Sequence, residues 1–571
     1  MSDLLEYRIF GPPGTGKTTY LTRQVHNAAS SHGSREIVVC SFTRAAAAEI
    51  AGRNLPLHPQ QVGTLHSAAY RALNQPPLAV EHLDDWNSTH DHYPIDGGAD
   101  TLDDGGAAAG DDGPTSNRRG SALLEQAEAL RGRRVPLDRW PTAVARFYQA
   151  WDDWKARVGV YDFTDLIDVA HATVDRFPGT PTIGFVDETQ DLSPLELALV
   201  RKWGAKMRWL LMAGDDDQAL YGFKGASSDA FLDPPLPDEQ LRFLRQSHRV
   251  PVAVHALAEQ WVAQLSRRQP KSYEPTDDEG AVARLLDSHY RSPQRVLDDA
   301  ESEIADGRTV MILAACGYQL AATIKELRRR GLPYHNPYRT KRGDWNPLAG
   351  RADATTAADR IVALLACNND TWGAERARDM WTGDDVRAWI DLLASKGVLV
   401  RGAKKHAAEL PADEHVDPAA LSRMFADPAD WATPLDGTAG EALDWLEERL
   451  LASRRRTVEY PLQVARARGA AELAEEPRCV VGTIHSVKGG EADTVYVYPD
   501  LSTAALRAAG GWRTSPHPRR DPIIRQFYVA ATRARRRLVV TDPASPQPAP
   551  LARFASGQGR YVREIRPRSI R

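Results

Sequence analysis

A short segment near the N-terminus carries the residue types and spacing that bind the phosphates of a nucleotide. Gly11-Pro12-Pro13-Gly14-Thr15-Gly16-Lys17-Thr18 fits the pattern G-x-x-x-x-G-K-[ST]. Glycines let backbone N–H groups approach phosphate oxygens, Lys17 can reach the β- and γ-phosphates, and the Thr18 hydroxyl can hold Mg²⁺. Residues 7–10 predict a strand and residues 19–25 a helix, the context that this pattern requires. That context disfavours a glycine-rich turn with an incidental lysine, so we predict a nucleoside triphosphate site.

A second segment places two acids directly after an apolar run. In residues 185–191, Asp187 and Glu188 follow a strand-like stretch. A carboxylate at the carboxyl end of a parallel strand can hold Mg²⁺, and its neighbour can orient and deprotonate an attacking water. Alone, such a run is often a solvated turn. With a phosphate loop upstream, we predict that Asp187 is the metal partner and Glu188 the base.

A third segment, residues 213–225, again leaves a strand-like run. Its Gln218 is a candidate neutral sensor of the γ-phosphate. Tyr221 and Phe223 are candidate platforms on which nucleic-acid bases stack. The alternative is that both aromatic side chains belong to the core.

The elements that must position these residues alternate between strand-like and helical patterns. The strand-like runs are residues 37–40, 183–186, 209–213, 310–313, 495–498 and 538–540. Their apolar character predicts buried parallel strands and an α/β fold. Two segments, residues 76–157 and 339–476, interrupt the alternation, and both have a largely helical character. Within the first, residues 96–117 are rich in Gly, Asp and Ala, which predicts a disordered acidic loop.

Length and composition exclude several classes of protein. The chain has 571 residues, 42% hydrophobic and 26% charged, with a net charge of −4 that neither demands nor excludes nucleic acid. No apolar run reaches the roughly 18 residues needed to span a bilayer, and no signal peptide is expected. Cys40, Cys316, Cys367 and Cys479 form no C-x-x-C pair. We therefore expect reduced core cysteines, no zinc site and a cytoplasmic location.

The order of the motifs resembles that of the UvrD/Rep-type helicases of superfamily 1. The matching segments are residues 11–18, 41–50, 63–67, 162–166, 187–191, 214–226, 244–249, 482–493 and 527–534. The resemblance extends from residue 7 to about residue 540. It implies an α/β fold with two RecA-like parallel-sheet motor lobes, each interrupted by a mostly helical accessory insertion.

The resemblance also implies where the domains lie. Residues 1–74 and 158–240 form the first lobe, 241–338 and 477–547 form the second, 75–157 and 339–476 form the insertions, and 548–571 form a basic tail. The two insertions correspond to accessory subdomains that contact duplex DNA.

Roles for individual residues follow from the resemblance. ATP and Mg²⁺ are the expected ligands; Arg249 and Arg533 act as arginine fingers, and Glu491 hydrogen-bonds the ribose. The ATP-binding set is completed by Thr19 and His248. The residues implied to bind single-stranded DNA are Phe42, Thr43, Thr64, His66, Phe223, Thr483 and His485, to which we add Tyr221. The implied activity is ATP-driven movement on single-stranded DNA, 3′→5′, with unwinding at junctions.

Three departures from the family pattern modify these expectations. The family usually carries a glutamine-bearing segment that reads adenine before the phosphate loop, and we expect this chain to lack it. We therefore expect GTP and also UTP to be hydrolysed within about tenfold of ATP. The alternative is that Tyr7 or Arg23 beside the loop supplies the adenine contact. His248 stands where the family has a stacking Tyr, and Phe223 stands where it has a Trp. The insertions are also short for the family.

Rival functions make different predictions. A translocase that strips proteins from DNA would show DNA-stimulated ATPase with little unwinding. A helicase–nuclease fusion needs a C-terminal acidic cluster, which the residues after 542 do not contain. The set Lys17, Asp187, Glu188, Gln218, Arg249 and Arg533 argues against a non-catalytic binding module. We expect a monomer in isolation and leave the loading partner and the pathway open.

Overall fold

A computed structural model describes residues 5–42, 50, 52–96, 119–339, 345–349, 355–509, 517–555 and 562–565. Its contacts divide the chain into two units. The first comprises Met1–Leu286, Leu313–Tyr318 and Thr483–Arg571, and the second comprises Asp287–Ile312 and Gln319–Gly482. The boundaries predicted for lobes and insertions stay predictions. All but one residue of the predicted acidic loop at 96–117 lies outside the described residues.

The strands follow the apolar runs of the sequence. They are β1 Leu5–Phe10, β2 Ile37–Ser41, β3 Val62–Thr64, β4 Ile183–Val186, β5 Trp209–Gly214, β6 Leu241–Phe243, β7 Ala281–Leu285, β8 Val310–Ala314, β9 Cys479–Thr483, β10 Ala492–Val497, β11 Ala534–Thr541 and β12 Val562–Ile565. Five of the six predicted runs lie within strands, and the sixth, residues 495–498, extends one residue past the end of β10. Every residue of β2, β4 and β8 is buried, as expected of strands covered on both faces.

Helices connect and cover these strands. They are α1 Lys17–His32, α2 Leu65–Ala72, α3 Leu83–Thr89, α4 Arg119–Gly132, α5 Thr142–Val158, α6 Phe163–Thr173, α7 Pro194–Gly204, α8 Ser228–Leu232, α9 Val252–Val262, α10 Gln294–Ala305, α11 Ala321–Arg330, α12 Ala357–Leu364, α13 Asn369–Trp372, α14 Gly383–Ile390, α15 Ala403–Ala408, α16 Pro418–Ser422, α17 Ala432–Asp436, α18 Ala439–Arg449, α19 Arg455–Arg468, α20 Thr503–Ala509, α21 Asp521–Ala531 and α22 Leu551–Ala555. Within the described ranges, none of these helices is both long and apolar enough to cross a membrane.

One sheet of the first unit has six parallel strands in the order β3-β2-β4-β5-β1-β6. The carboxyl ends of parallel strands meet at one edge of a sheet, which is where ligands bind in such folds. At this edge β1 leads into the phosphate loop, β4 into Asp187 and β5 into Asp215. The topology therefore brings the three predicted segments together.

The second sheet is also parallel. In the first unit its strands β12, β7, β11 and β10 are neighbours in that order. The second unit holds most of the neighbouring strands β8 and β9, whose last residues belong to the first unit. These sheets and their interspersed helices confirm the predicted α/β class with two RecA-like sheets.

The helical part of the second unit packs around aromatic side chains. Trp389 lies with its ring centroid 5.2 Å from Trp381, 6.3 Å from Phe425 and 6.2 Å from Trp445. Offset and edge-to-face contacts of this kind stabilise beyond the area that they bury. Short helices joined by loops can therefore share one core.

Candidate ATP and nucleic-acid site

The phosphate loop is shaped by its glycines and held against the sheet. Gly14 and Gly16 have φ values of 72° and 73°, a left-handed backbone conformation that residues with a Cβ rarely adopt. The Gly11 N–H donates to the Gly214 carbonyl at 3.1 Å. Lys17 begins α1, and its Nζ donates to the Gly11 carbonyl at 2.8 Å. The predicted lysine therefore lies over the loop, at the positive end of a 16-residue helix.

The segment that follows β6 forms hydrogen bonds with the phosphate loop. Ser247 Oγ donates to the Pro13 carbonyl at 2.8 Å, and the His248 N–H donates to the Gly14 carbonyl at 2.9 Å. A Cβ on Gly14 would lie 2.5 Å from the Cβ of Arg249. His248 itself is exposed beside the loop. This contact brings two of the predicted ATP-site residues, His248 and Arg249, to the loop.

The two predicted acids follow β4 directly. Thr18 Oγ1 donates to Asp187 Oδ2 at 3.3 Å, so the two predicted Mg²⁺ ligands are neighbours. Burial, reinforced by the charge of Glu188, raises the pKa of Asp187 to about 6. In the described part of the chain, no cluster of three or more His, Cys, Asp or Glu side chains could hold a metal alone. One hydroxyl and one carboxylate suit Mg²⁺, which keeps waters and takes phosphate oxygens as further ligands.

The carboxylate of Glu188 is held by two partners. The residue adopts a left-handed φ of 51°, a strained conformation for glutamate. Its Oε2 accepts from Gln190 Nε2 at 2.5 Å and lies 3.3 Å from Lys488 Nζ, which also pairs with Asp191. Burial alone would raise the pKa of Glu188, but Lys488 and Lys17 lower it to about 2. The candidate base is therefore ionised and aimed by its neighbours.

Gln218 links the turn after β5 to one of the predicted arginine fingers. Its Nε2 donates to Asp215 Oδ2 at 2.6 Å, and its Oε1 accepts from Arg533 Nη2 at 3.0 Å. Arg533 is 2% exposed and donates further to the carbonyls of Val529 and Gly490. The predicted sensor and this predicted finger are thus in direct contact.

The second predicted finger pairs with the residue expected to bind ribose. Arg249 Nε donates to Glu491 Oε2 at 2.5 Å, and Arg535 Nη1 lies 3.3 Å from Glu491 Oε1. Burial tends to raise the pKa of Glu491, but these two arginines lower it overall. Two predicted roles, assigned separately from the sequence, therefore meet in one ion pair.

A cavity of about 1080 Å³ collects most of the predicted DNA contacts. Phe42, Thr64, His66, Phe223 and His485 all line it. Phe223 is 40% exposed, and its ring lies 5.4 Å from that of His485, edge to face. An exposed ring in a groove is the arrangement on which bases stack.

The charges of the cavity are mixed. Its basic lining residues are Arg133, Lys224, Arg519 and Arg525. Burial, then the charge of Asp162, raises the pKa of the lining residue Glu128 to about 8, so this carboxyl adds little negative charge at neutral pH. Burial, with Lys224 and Lys488 nearby, lowers the pKa of His485 to about 4. His485 is therefore neutral at physiological pH.

Two predicted DNA contacts are buried beneath the cavity surface. Tyr221 is 3% exposed, and its ring packs 5.1 Å from that of Phe42, so the alternative of a core aromatic holds for this residue. Thr483 is also buried, and its Oγ1 accepts from the Ser486 N–H at 3.3 Å. Both side chains therefore lie beneath the surface, and their roles in DNA binding stay predictions. Thr43 lies outside the described residues.

The comparisons with known proteins agree with this geometry. The family model for the UvrD/REP helicase N-terminal domain matches residues 6–234, the part that holds the phosphate loop, both acids and Gln218. By this match, residues 6–234 form a UvrD/REP helicase N-terminal domain.

Individual relatives match the chain at low identity. It is 27% identical to the ATP-dependent DNA helicase UvrD1 of Mycobacterium tuberculosis over 363 residues, which cover 56% of this chain and 46% of the relative. The match to the putative ATP-dependent DNA helicase YjcD of Bacillus subtilis is 23% over 353 residues, 56% of this chain and 45% of the relative. The match to the ATP-dependent DNA helicase UvrD2 of M. tuberculosis is 25% over 601 residues, 97% of this chain and 79% of the relative. The chain thus spans about half the length of UvrD1 and YjcD.

The D-F-x-D-L motif at residues 162–166 has a structural role that sequence reasoning did not assign. Asp162 accepts from Arg131 Nη1 at 3.0 Å, Lys155 Nζ at 2.7 Å and Trp151 Nε1 at 3.0 Å, and it caps α6. Asp165 accepts from the same arginine at 2.6 Å. The two acids therefore fasten helices α4 and α5 to α6.

Sequence reasoning also missed Lys488 and Ser247 as parts of the ATP site. Both lie in motifs that the sequence identifies, at 482–493 and 244–249. Their partners, Glu188 and the Pro13 carbonyl, are more than 230 residues away in the chain. No local pattern signals such a pairing.

Proposed function

We propose that this chain is an ATP-dependent DNA helicase or translocase that couples ATP hydrolysis to movement on single-stranded DNA. The contact between Gln218 and Arg533 carries the proposal, because it puts a neutral sensor and a buried cation beside each other. The phosphate loop and both acids lie at the edge of the same sheet. Such a set serves phosphoryl transfer, in which catalysis is mostly positioning and charge stabilisation.

Each residue has a role in ATP hydrolysis on this proposal. Lys17 contacts the β- and γ-phosphates, and Glu188 accepts the proton of the attacking water. Thr18 and Asp187 would hold Mg²⁺, which when bound neutralises charge on the phosphates. Arg533 donates to the γ-phosphate oxygens as charge develops, and Gln218 orients its guanidinium.

ATP can replace the protein partners in the ion pairs of Arg249, Glu491 and Lys488. Arg249 pairs with Glu491, and a γ-phosphate and a ribose hydroxyl offer these two residues separate partners. Lys488 is paired with Glu188 and Asp191, and the γ-phosphate is a competing anion for it. Nucleotide binding then redistributes the pairs that connect distant parts of the chain.

Single-stranded DNA is the proposed ligand of the cavity lined by Phe42, His66, Phe223 and His485. Stacking on exposed rings tolerates any base, which suits a motor that steps along a strand. The relatives' names as ATP-dependent DNA helicases support DNA over RNA. Movement 3′→5′, action at single-strand/duplex junctions and a monomeric state rest on the family resemblance. The four buried, free cysteines fit the reducing cytoplasm.

Strand displacement on two matched substrates tests the proposal. A duplex with a 3′ single-stranded tail should be unwound with ATP and Mg²⁺, and the same duplex with a 5′ tail should not. Lys17→Ala is the control that removes nucleotide contact. ATPase stimulated by single-stranded DNA without displacement of either duplex would instead identify a translocase that unwinds poorly. ATPase unaffected by any oligonucleotide would refute the motor function.

A further inference from the structure

Lys271 is a buried cation outside every motif discussed above. It lies between α9 and β7, and 1% of its side chain is exposed. Its Nζ lies 3.1 Å from Asp215 Oδ1, 2.7 Å from Asp216 Oδ1 and 2.7 Å from Asp217 Oδ2. One ammonium thus contacts three successive carboxylates of the turn that carries Gln218.

The electrostatics of this cluster require its cations. All three carboxylates are fully buried, and burying an ionised carboxylate is costly unless it is paired. Burial would lower the pKa of Lys271, but the three carboxylates raise it above its usual value, so the lysine is charged. Arg268 is the second cation and lies 2.6 Å from Asp217 Oδ2.

Asp215 connects this cluster to the ATP site. Its Oδ1 faces Lys271, and its Oδ2 accepts from Gln218 Nε2 at 2.6 Å. A carboxylate can only accept hydrogen bonds, so it turns the amide nitrogen of Gln218 toward itself and the amide oxygen away. That oxygen accepts from Arg533 at 3.0 Å. An unbroken series of polar contacts therefore runs from Lys271 through Asp215 and Gln218 to Arg533.

We propose that Lys271 is a positioning residue for ATP hydrolysis, which fixes Asp215 and thereby the orientation of the Gln218 amide toward Arg533. The inference rests on the proposed function, because it takes Gln218 as the γ-phosphate sensor. Lys271 touches neither nucleotide nor metal. It acts through the carboxylate between itself and Gln218.

A double-mutant cycle on ATP turnover tests the proposal. The full chain is assayed with saturating single-stranded DNA as wild type, Lys271→Met, Gln218→Ala and the double variant. Lys271→Met should lower kcat by about tenfold or more with KM within about twofold, and the double variant should be no slower than Gln218→Ala, because both changes remove one contact series. Lys271→Arg should restore part of the lost kcat.

Arg268→Met is the matched control. It removes a cation from the same buried cluster, but it contacts Asp217 and not Asp215. It should lower the melting temperature while kcat stays near the wild-type value. If Lys271 had only a structural role, Lys271→Met and Arg268→Met would both lower the melting temperature and both leave kcat near the wild-type value.

Each other outcome is decisive. Wild-type kcat in Lys271→Met, or multiplicative losses in the double variant, would overturn the proposal. If Lys271→Met does not fold, Asp215→Asn takes its place in the cycle, and it should likewise add nothing to Gln218→Ala. If Gln218→Ala itself turns over normally, the role of Gln218 in the proposed function fails. If Gln218→Ala is slow and Lys271→Met is not, only the role of Lys271 fails.

Discussion

Arg533 donates hydrogen bonds from three of its nitrogens while remaining almost fully buried. Replacing it with Ala should lower kcat by on the order of 10³-fold, the effect of arginine fingers in other phosphoryl-transfer enzymes. Arg533→Lys should be nearly as slow, because an ammonium cannot reproduce the planar set of donors. The measurement is DNA-stimulated ATP turnover, with binding of a fluorescent ATP analogue to show that the site is otherwise intact.

Arg536→Ala is the matched control for that prediction, since Arg536 lies three residues after Arg533, in β11, and is exposed. It should turn over ATP at the wild-type rate. Normal turnover in Arg533→Ala would remove this arginine from the catalytic set.

Individual residues of the candidate site were predictable wherever a local pattern carries the chemistry. The structure brings Lys17, Thr18, Asp187, Glu188 and Gln218 to one edge of a sheet, although their functional roles stay predictions. Burial could not be predicted in the same way. Tyr221 and Phe223 are equivalent aromatic candidates in the sequence, and only the fold shows that the first is buried and the second is exposed. The ion pairs of Lys488 and Lys271 join residues distant in sequence, so no spacing rule predicts them.

Helices α4, α5 and α6 meet on the Asp162 carboxylate. Asp162→Asn should destabilise the folded chain by about 3–5 kcal/mol, because it leaves Arg131 and Lys155 buried without their charged partner. Urea unfolding at pH 7 measures the change. Asp168→Asn is the control, since this exposed acid lies 3.8 Å from the same arginine and should change stability by less than about 1 kcal/mol. Equal effects of the two substitutions would contradict the role of Asp162.

The same carboxylate gives a pH dependence of known sign. Burial would raise the pKa of Asp162, but Arg131 and Lys155 hold it well below its usual range in the folded chain. A carboxyl whose pKa is lower in the folded than in the unfolded chain stabilises the folded state at pH values above the unfolded pKa, about 3.9 for Asp. This stabilisation is lost as the pH falls below that value toward the folded-state pKa. The stability gap between wild type and Asp162→Asn should therefore be constant from pH 8 to pH 5 and narrow below about pH 4. A gap that widens on acidification would contradict this assignment.

The segment after β6 supports the phosphate loop through Ser247. Ser247→Ala removes the donor to the Pro13 carbonyl and should weaken ATP binding by about 1 kcal/mol, roughly fivefold in KM, with a smaller effect on kcat. Steady-state kinetics provide the measurement. Ser30→Ala, in the exposed last turns of α1, should leave KM unchanged. An unchanged KM in Ser247→Ala would show that the loop keeps its shape unaided.

At the level of elements, the sequence predicted where the strands lie in the chain better than which strands are neighbours in a sheet. Apolar runs such as residues 183–186 and 310–313 lie within strands that are buried throughout, because a strand covered on both faces needs no alternation. The sheet order, with β5 between β4 and β1, depends on contacts across the whole chain and left no local signal.

The nucleotide site and the cavity belong to one compact unit, so we expect DNA binding to change ATP turnover in the whole molecule. Single-stranded DNA should raise kcat. Phe223→Ala should raise the DNA concentration for half-maximal stimulation by about 5–150-fold, which corresponds to the ~1–3 kcal/mol of one stacking contact. Leu137→Ala, an exposed apolar residue outside the cavity lining, should leave it unchanged. An unaltered DNA requirement in Phe223→Ala would place the strand elsewhere.

The ATP site also joins residues from opposite ends of the chain, and this governs when a newly synthesised molecule can become active. The ribosome adds ~5–20 residues per second, so Arg533 is made roughly 15–60 s after Gln218. During that interval the nascent chain already contains the phosphate loop and both acids but no finger to meet Gln218. On the proposed mechanism it can retain a nucleotide without consuming it. On the same mechanism, fragments produced when translation stops early do not hydrolyse ATP in the absence of DNA.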